Sequence, residues 1–528
     1  MSVTTRLPCD EGALRHGSDT VRCDAARKRW VLVAAILGSS LAFVDGTVVN
    51  IALPAMQESL GASAAQVQWV VEAYALLLSA LLLAGGALGD RYGRRRTFLA
   101  GIGLFALASL ACALSPTVHV LIAARALQGL GAALLVPGSL ALISATYPES
   151  ERGPAFGTWA AFSGITSALG PLLGGWLVDR FSWSWAFAVN LPVAALLLVI
   201  TWWRVPDDRP PPAVAAFDVG GGVWATLALA GGVFAFTEAS VRGWNAGVVL
   251  GAAALCVVAL AAFLWTERRQ AAPMVPLGLL RHRAFAGANL LTLLLYAGLG
   301  GGLYFLPLDL VQVQGLSATG AGAALLPFIA VMFLLSRWAG GLVDRRGPRW
   351  PLVAGPALAA VGFALLARPG VGASYWTGFL PGVLVLGLGM AIAVAPLTTV
   401  VMAAVPPEST GVASGINNAV SRVAGVLAIA VFGWVMASVF DARLHDALAT
   451  AALPADTAAA VWARRGDLAA LQPPADASAE AAERIRAATR AAFVVGFRAV
   501  MLTSAVLALA SAVVGALTMP RGHLPRRG

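Results

Sequence analysis

Fourteen apolar runs, each long enough to cross a bilayer, leave this chain one kind of solvent. They fall at about 30–54, 67–89, 97–115, 118–142, 157–178, 184–203, 219–238, 246–266, 285–308, 319–341, 350–367, 376–403, 410–438 and 493–518. A helix of about 20 apolar residues spans the hydrocarbon core and satisfies its own backbone there. The expected fold class is therefore an all-α polytopic membrane protein with 14 transmembrane helices. Composition agrees: 59% of residues are hydrophobic and 12% charged, against about one quarter charged in soluble domains, and the mean hydropathy is +0.79.

The formal charge of +10 does not point to nucleic acid, because the basic residues stand in short clusters between apolar runs and not along one face. They encode sidedness instead. With the N-terminus inside, the inner loops collect Arg91, Arg94, Arg95, Arg96, Arg152, Arg204, Arg209, Arg268, Arg269, Arg281, Arg283, Arg345, Arg346 and Arg349. The short outer loops hold only Arg180, Arg242 and Arg368. That asymmetry predicts both termini in the cytosol and a multi-pass protein of the cytoplasmic membrane. One outer connection, 439–492, is long, Ala-rich and interrupted by Pro473 and Pro474; partly helical, mobile structure is expected there.

The chain repeats itself. "GALGDRYGRR" (86–95) and "GGLVDRRGPR" (340–349) share Gly, Leu, Asp, Arg, Gly and Arg at one spacing, and "PESERGPAFG" (148–157) is echoed by "PESTGVASG" (407–415). Both echoes fit a division into a tail (1–29), a six-helix bundle (30–203), two inserted helices with their cytosolic flanks (204–284), a second six-helix bundle (285–518) and a tail (519–528). Parallel halves around a central cavity are the architecture such repeats build.

Three ionisable residues inside the runs carry the chemistry. Counted at about 1.5 Å per residue across a core of about 30 Å, Asp45, Arg125 and Glu72 lie roughly 8, 10 and 8 Å from the outer edge. Each costs roughly 2.5–3.5 kcal/mol at mid-bilayer, so three at one level should face a shared cavity or each other. A carboxylate whose exposure or distance to Arg125 changes can load and release a proton; a static Asp45–Arg125 pair orienting two helices remains the alternative. Glu238, Asp309, Arg337, Arg422 and Arg498 are weaker candidates. Asp90 at the inner end of the second run sits among Arg91, Arg94, Arg95 and Arg96, with Gly86, Gly89 and Gly93 permitting close approach and a sharp turn. Recurrence of the pattern at Asp344, Arg345 and Gly347 predicts a charge cluster that latches the cytosolic ends of the halves. In "GPLLGG", Gly170, Pro171, Gly174 and Gly175 predict tight helix packing and a bend.

These motifs resemble the major facilitator superfamily, and within it the fourteen-helix drug:proton antiporters. "GALGDRYGRRR" is similar to the loop signature between the second and third helices, "LIAARALQGLGAA" (121–133) to the fourth-helix arginine motif, and "GPLLGG" to the fifth-helix antiporter motif, with Thr166 where the family has glycine. "VDGTVVNIALP" (44–54), "WSWAFAVNLP" (183–192) and "AAVPPESTGVASGINNAVSR" (403–422) resemble stretches of the fourteen-helix branch. The resemblance implies two six-helix bundles plus two inserted helices, gating by the Asp90 motif, and a fifth-helix motif that makes exchange obligatory. It also implies export of a small lipophilic or amphipathic substrate against protons. Phe43, Trp69, Tyr74, Trp159, Phe162, Tyr296, Tyr304 and Phe305 are candidates for an aromatic pocket.

No cofactor is expected beyond the proton gradient itself, since no Gly-x-x-x-x-Gly-Lys nucleotide loop is present. No metal is expected: the four cysteines (Cys9, Cys23, Cys112, Cys256) and five histidines are scattered. That scatter also argues against a membrane enzyme. A proton-coupled uptake symporter is the competing transporter reading, and the sequence sets neither the substrate nor the oligomeric state.

Overall fold

Helix is the only regular backbone among the described residues of this computed structural model, which are 25–207, 218–270, 273, 275–405, 410–450 and 453–520. The N-terminal half comprises α1 (Ala25–Leu60), α2 (Ala64–Tyr92), α3 (Arg94–Ala113), α4 (Val118–Thr146), α5 (Glu149–Arg180) and α6 (Asn190–Arg204). Two inserted helices follow, α7 (Val219–Arg242) and α8 (Gly247–Arg269). The C-terminal half comprises α9 (Arg283–Leu308), α10 in two pieces (Ala318–Ala324 and Leu326–Gly340), α11 (Arg349–Leu366), α12 (Leu380–Ala403), α13 (Thr410–Thr450) and α14 (Ala479–Thr518). Among the described residues thirteen stretches are long and apolar enough to cross a membrane. The fourteenth expected span, 157–178, lies within α5, which packs against α1.

Local chemistry sets the helix starts. Ser63 opens α2 with a reciprocal cap: Gln66 N–H donates to Ser63 Oγ (3.3 Å) and Ser63 N–H to Gln66 Oε1 (2.9 Å). Thr117 caps α4, Asp218 caps α7, Ser317 caps α10 and Ser478 caps α14. The repeat seen in sequence has a backbone counterpart: Gly93 and Gly347, the last glycines of the two loop motifs, both have positive φ (100° and 73°), which glycine adopts without a Cβ penalty.

The halves meet along two seams. In one, α5 packs against the first piece of α10; in the other, α2 and α13 meet with α7 set against both. Helix α8 packs chiefly on α7 and leaves Leu250, Val257, Val258 and Trp265 exposed, as a lipid-facing helix does.

The long connection 439–492, expected to be partly helical, is helical over most of its length. Helix α13 continues to Thr450 because Phe440, Leu444 and Leu448 keep an apolar stripe at four-residue spacing, all buried, through a stretch whose charges suggested a loop. Helix α14 begins at Ala479 for the same segment. What lies between, a short helix Ala455–Ala463 and a tight turn Arg465–Ala470, forms a roof tied to both halves. Gln57 of α1 donates to the Asp467 carbonyl (2.9 Å), Gln312, just beyond α9, donates to Gln57 (3.0 Å), and Arg465 donates to Asp441 of α13 (3.3 Å). Leu468 is pushed inward with φ of 52°, a strained value for a residue with a side chain. Beneath the roof is a cavity of about 260 Å³ lined by Gln57, Gln68, Tyr304, Asp441 and Phe493.

Candidate transport site

Asp45 and Arg125 are both fully enclosed, and they pair. Arg125 Nη1 donates to Asp45 Oδ2 at 2.5 Å. Arg125 also donates from Nε to the Val70 carbonyl (2.9 Å) and from Nη1 to Gln128 Oε1 (2.7 Å), while Tyr74 lies against the guanidinium, 4.2 Å from ring centroid to Cζ. The other carboxylate oxygen of Asp45 accepts from Gln128 Nε2 (2.7 Å) and Asn190 Nδ2 (2.9 Å), with Ser109 Oγ completing the cluster on Gln128 (2.9 Å). Helices α1, α2, α3, α4 and α6 thus all contribute to one polar knot in the N-terminal half. A pair this buried is strongly destabilising to break from one side, by about 3–5 kcal/mol, because the remaining charge has no solvent.

Glu72 is not part of that knot. Val70 and Tyr74 turn one face of α2 toward Arg125, and Glu72, two residues from each and so about 200° round the helix, points the opposite way. Its two oxygens accept from Gln68 Nε2 (2.8 Å) and from Thr237 Oγ1 of the inserted helix α7 (3.0 Å). Among the described residues no lysine or arginine pairs with it. The shared depth predicted from sequence therefore holds two separate sites: an ion pair inside one half, and a carboxyl with neutral partners in the α2–α7–α13 seam.

The antiporter motif forms contacts on two sides. Gly174 meets α1: an added Cβ would stand 2.8 Å from the Val48 carbonyl oxygen. Gly170 faces Thr47 of the same helix. Gly175 and Pro171 face α10 of the other half, where a methyl on Gly175 would strike the Ala318 carbonyl and one on Gly322 the Pro171 carbonyl. Thr166, the departure from the family pattern, donates to Ser40 of α1 (3.0 Å) or back to its own helix. One turn beyond the glycines, Asp179 accepts from Ala318 N–H (3.1 Å) and Thr319 N–H (2.8 Å), capping α10 across the seam. Asp179→Ala removes that cap and should favour separation of the outer ends by about 1–2 kcal/mol, on the order of tenfold in population. Labelling of an Ala65→Cys reporter under the roof by an impermeant maleimide should rise accordingly; unchanged labelling would show that the cap carries no part of closure.

At the α2–α3 loop motif, Arg95 donates to the carbonyls of Thr201 (3.3 Å) and Trp202, fixing α3 to the end of α6, and Arg96 reaches Asp207 (3.5 Å). Arg91 and Arg345 are exposed, and Arg91 stacks on Tyr92. The side chains of Asp90, Asp344 and Arg337 lie outside the described residues, as do Arg209 and the Pro407–Ser409 stretch of the second echo. Gly86 is not the tight position of its motif: an added Cβ there would meet only Pro137 at 3.5 Å, whereas Gly85 abuts the Ala133 carbonyl.

Several residues of the knot went unrecognised in the sequence. Gln128 stands three residues from Arg125 and so on the same helix face, a legible signal; Asn190 and Ser109 come from distant helices and gave none. Arg422, a weaker candidate, reaches from α13 to the ring of Phe43 on α1 (5.7 Å), across the interior. Arg498 instead pins α14 to the Ala367 carbonyl (3.0 Å), and Glu238 pairs with Arg242 near the end of α7 (2.7 Å). Of the aromatic candidates, Tyr74, Tyr304 and Phe305 are buried, Trp69 packs on Phe234, and Phe162 is exposed.

Residues 35–429 match the model of the Major Facilitator Superfamily. The chain is 37% identical over 418 residues to the multidrug resistance protein Stp of Mycobacterium tuberculosis, covering 79% of this chain and 77% of that protein. It is 34% identical over 494 residues to the tetracenomycin C resistance and export protein of Streptomyces glaucescens (92% and 91% covered), and 38% identical over 424 residues to the puromycin resistance protein pur8 of Streptomyces alboniger (80% and 84%). Among solved structures, a bacterial homolog of the human lysosomal transporter Spinster superposes with a TM-score of 0.65 over 94% of this chain and 98% of that one, at 18% identity, a likeness of fold.

Proposed function

The chain belongs to the Major Facilitator Superfamily, a transporter family and not an enzyme family, and on that premise we propose that it exports lipophilic or amphipathic antibiotics across the bacterial cytoplasmic membrane in exchange for protons. The buried Asp45–Arg125 pair, with its Gln128 and Asn190 partners, is the observation that carries the proposal. The resistance and export proteins among its relatives support the substrate class.

Two acids in different company divide the work. Asp45 exchanges its hold on Arg125 for a proton as the half rearranges. Glu72, held by neutral donors at the seam, takes up a proton where its charge has no partner. An entering proton gains about 2.3 kcal/mol per 100 mV, enough to move a neutral solute uphill by between one and two tenfold steps. Gly86, Asp90, Arg91, Gly93, Arg94, Asp344, Arg345 and Gly347 form the cytosolic gate, and Gly170, Pro171, Gly174 and Gly175 the seam that prevents leak.

Inside-out vesicles from an exporter-deficient host test the reading, with puromycin as the probe. Respiration should drive puromycin inward, a protonophore should stop it, and ATP depletion at a maintained gradient should leave it intact. Accumulation that survives the protonophore, or movement in the uptake direction, overturns it.

A further inference from the structure

The cytosolic ends of the two inserted helices hold a pair of acids that the transport reading does not use. Asp218 caps α7 through Oδ1, which accepts from Gly221 N–H (2.6 Å) and Gln270 Nε2 (2.7 Å). Glu267, in the last turn of α8, accepts from Val275 N–H through Oε2 (2.9 Å). Both residues are 3% exposed. Their other oxygens, Asp218 Oδ2 and Glu267 Oε1, are buried with no donor in reach among the described residues. They face one another across Gly221, whose missing side chain is what admits them: a Cβ there would lie 2.9 Å from Glu267 Oε1 and closer still to Asp218 Oδ2.

Two acceptors cannot be stable in that position as two anions. Buried carboxylates sharing a site repel, and a proton held between the two facing oxygens removes the repulsion. No described cation relieves them. Arg269 stacks on Trp265 (4.5 Å), Arg283 donates to the Leu517 carbonyl (2.7 Å), Arg422 of α13 lies over Phe43, Arg91 at the end of α2 lies over Tyr92, and neither Arg268, Arg281 nor His282 bonds to the pair.

Val275 and Leu280, on the segment that Glu267 anchors, are walls of a cavity of about 510 Å³ between the inserted helices and the C-terminal half, whose lining includes Cys256, Leu260 and Leu427. The geometry points to a proton-bridged latch: Asp218 and Glu267 share one proton, and the bridge holds Val275 in place as one wall of this partly open apolar cavity, narrowing the approach to Cys256. When the cytosol takes that proton, two anions remain, they separate, and the Val275 contact is released. The latch is independent of whether the chain exports.

Cys256 is a native reporter. In a Cys9→Ser, Cys23→Ser background the remaining thiols are Cys256 and the fully buried Cys112. Labelling of purified protein by N-ethylmaleimide is measured as pH is raised from about 6 to about 9. Glu267→Gln supplies a permanent donor to Asp218 Oδ2 and keeps an acceptor for Val275. The rise in labelling rate should then be about tenfold larger in the parent than in Glu267→Gln, since one unit of interaction between the carboxyls is a tenfold change in equilibrium. Thiol ionisation is common to both and cancels. Glu267→Ala, which cannot bridge, should label fast throughout. Identical profiles in the parent and Glu267→Gln overturn the proposal. Should the Glu267 variants fail to fold, infrared spectra of a Glu72→Gln, Asp309→Asn background with Asp218 and Glu267 intact decide: a protonated-carboxyl band that disappears over the same range supports the latch, and its absence at about pH 6 refutes it.

Discussion

Replacing Asp45 with asparagine should reduce proton-driven export to background while lowering thermal stability. The substitution keeps acceptors for Gln128 and Asn190 but leaves Arg125 buried without a counter-charge, a loss of about 3–5 kcal/mol. The informative variant is the double one, Asp45→Asn with Arg125→Gln. It removes both charges, so most of the stability should return, measured as the unfolding midpoint of detergent-purified protein. Export in energised vesicles should not return, because an amide neither takes up nor releases a proton in this pH range. Recovery of both together would reduce the pair to a fastener between helices, and proton coupling would then rest on Glu72.

The second large effect belongs to Gly175. A leucine there must occupy space held by the Ala318 carbonyl of the opposing half, and helix backbone cannot rotate aside as a side chain can. Overpacking of this kind costs about 1–3 kcal/mol, all of it charged to the state in which α5 and α10 touch. Outer closure should weaken by roughly tenfold or more, with export lost and the Ala65→Cys reporter labelled without substrate. Gly170→Ala makes the contrast: its Cβ would press on Thr47 of α1, within the same half, so it should lower stability without exposing the Ala65→Cys reporter. Equal effects from both changes would mean that the motif acts through the bend of α5 and not through the seam.

Much of this architecture was legible because a bilayer enforces it. Length and hydropathy mark the helices, and the repeated Gly93 and Gly347 turns are dictated by a backbone that other residues avoid. Asp45 and Arg125 were legible as a pair because a charge at that depth must be answered. Glu72 was assigned to the same group because depth along a helix is readable while azimuth is not, until a neighbouring Val70 or Tyr74 fixes which way the helix is turned. Asn190 and Ser109 stayed hidden for a related reason: small polar residues are ordinary in membrane helices, and only assembly reveals which of them meet. The stripe Phe440, Leu444 and Leu448 was overruled by the charges between its members, although periodicity was the better guide.

The placement of α7 in one seam only makes the molecule mechanically lopsided. Where α2, α7 and α13 stack, three helices must slide together; where α5 meets α10, two backbones separate cleanly at glycines. The sequence repeat is symmetric but this arrangement is not: if the halves part, the inserted helix stands as the post of a door and the glycine seam as its free edge. The stroke is then widest far from α7, and the lipid beside α8 feels it least.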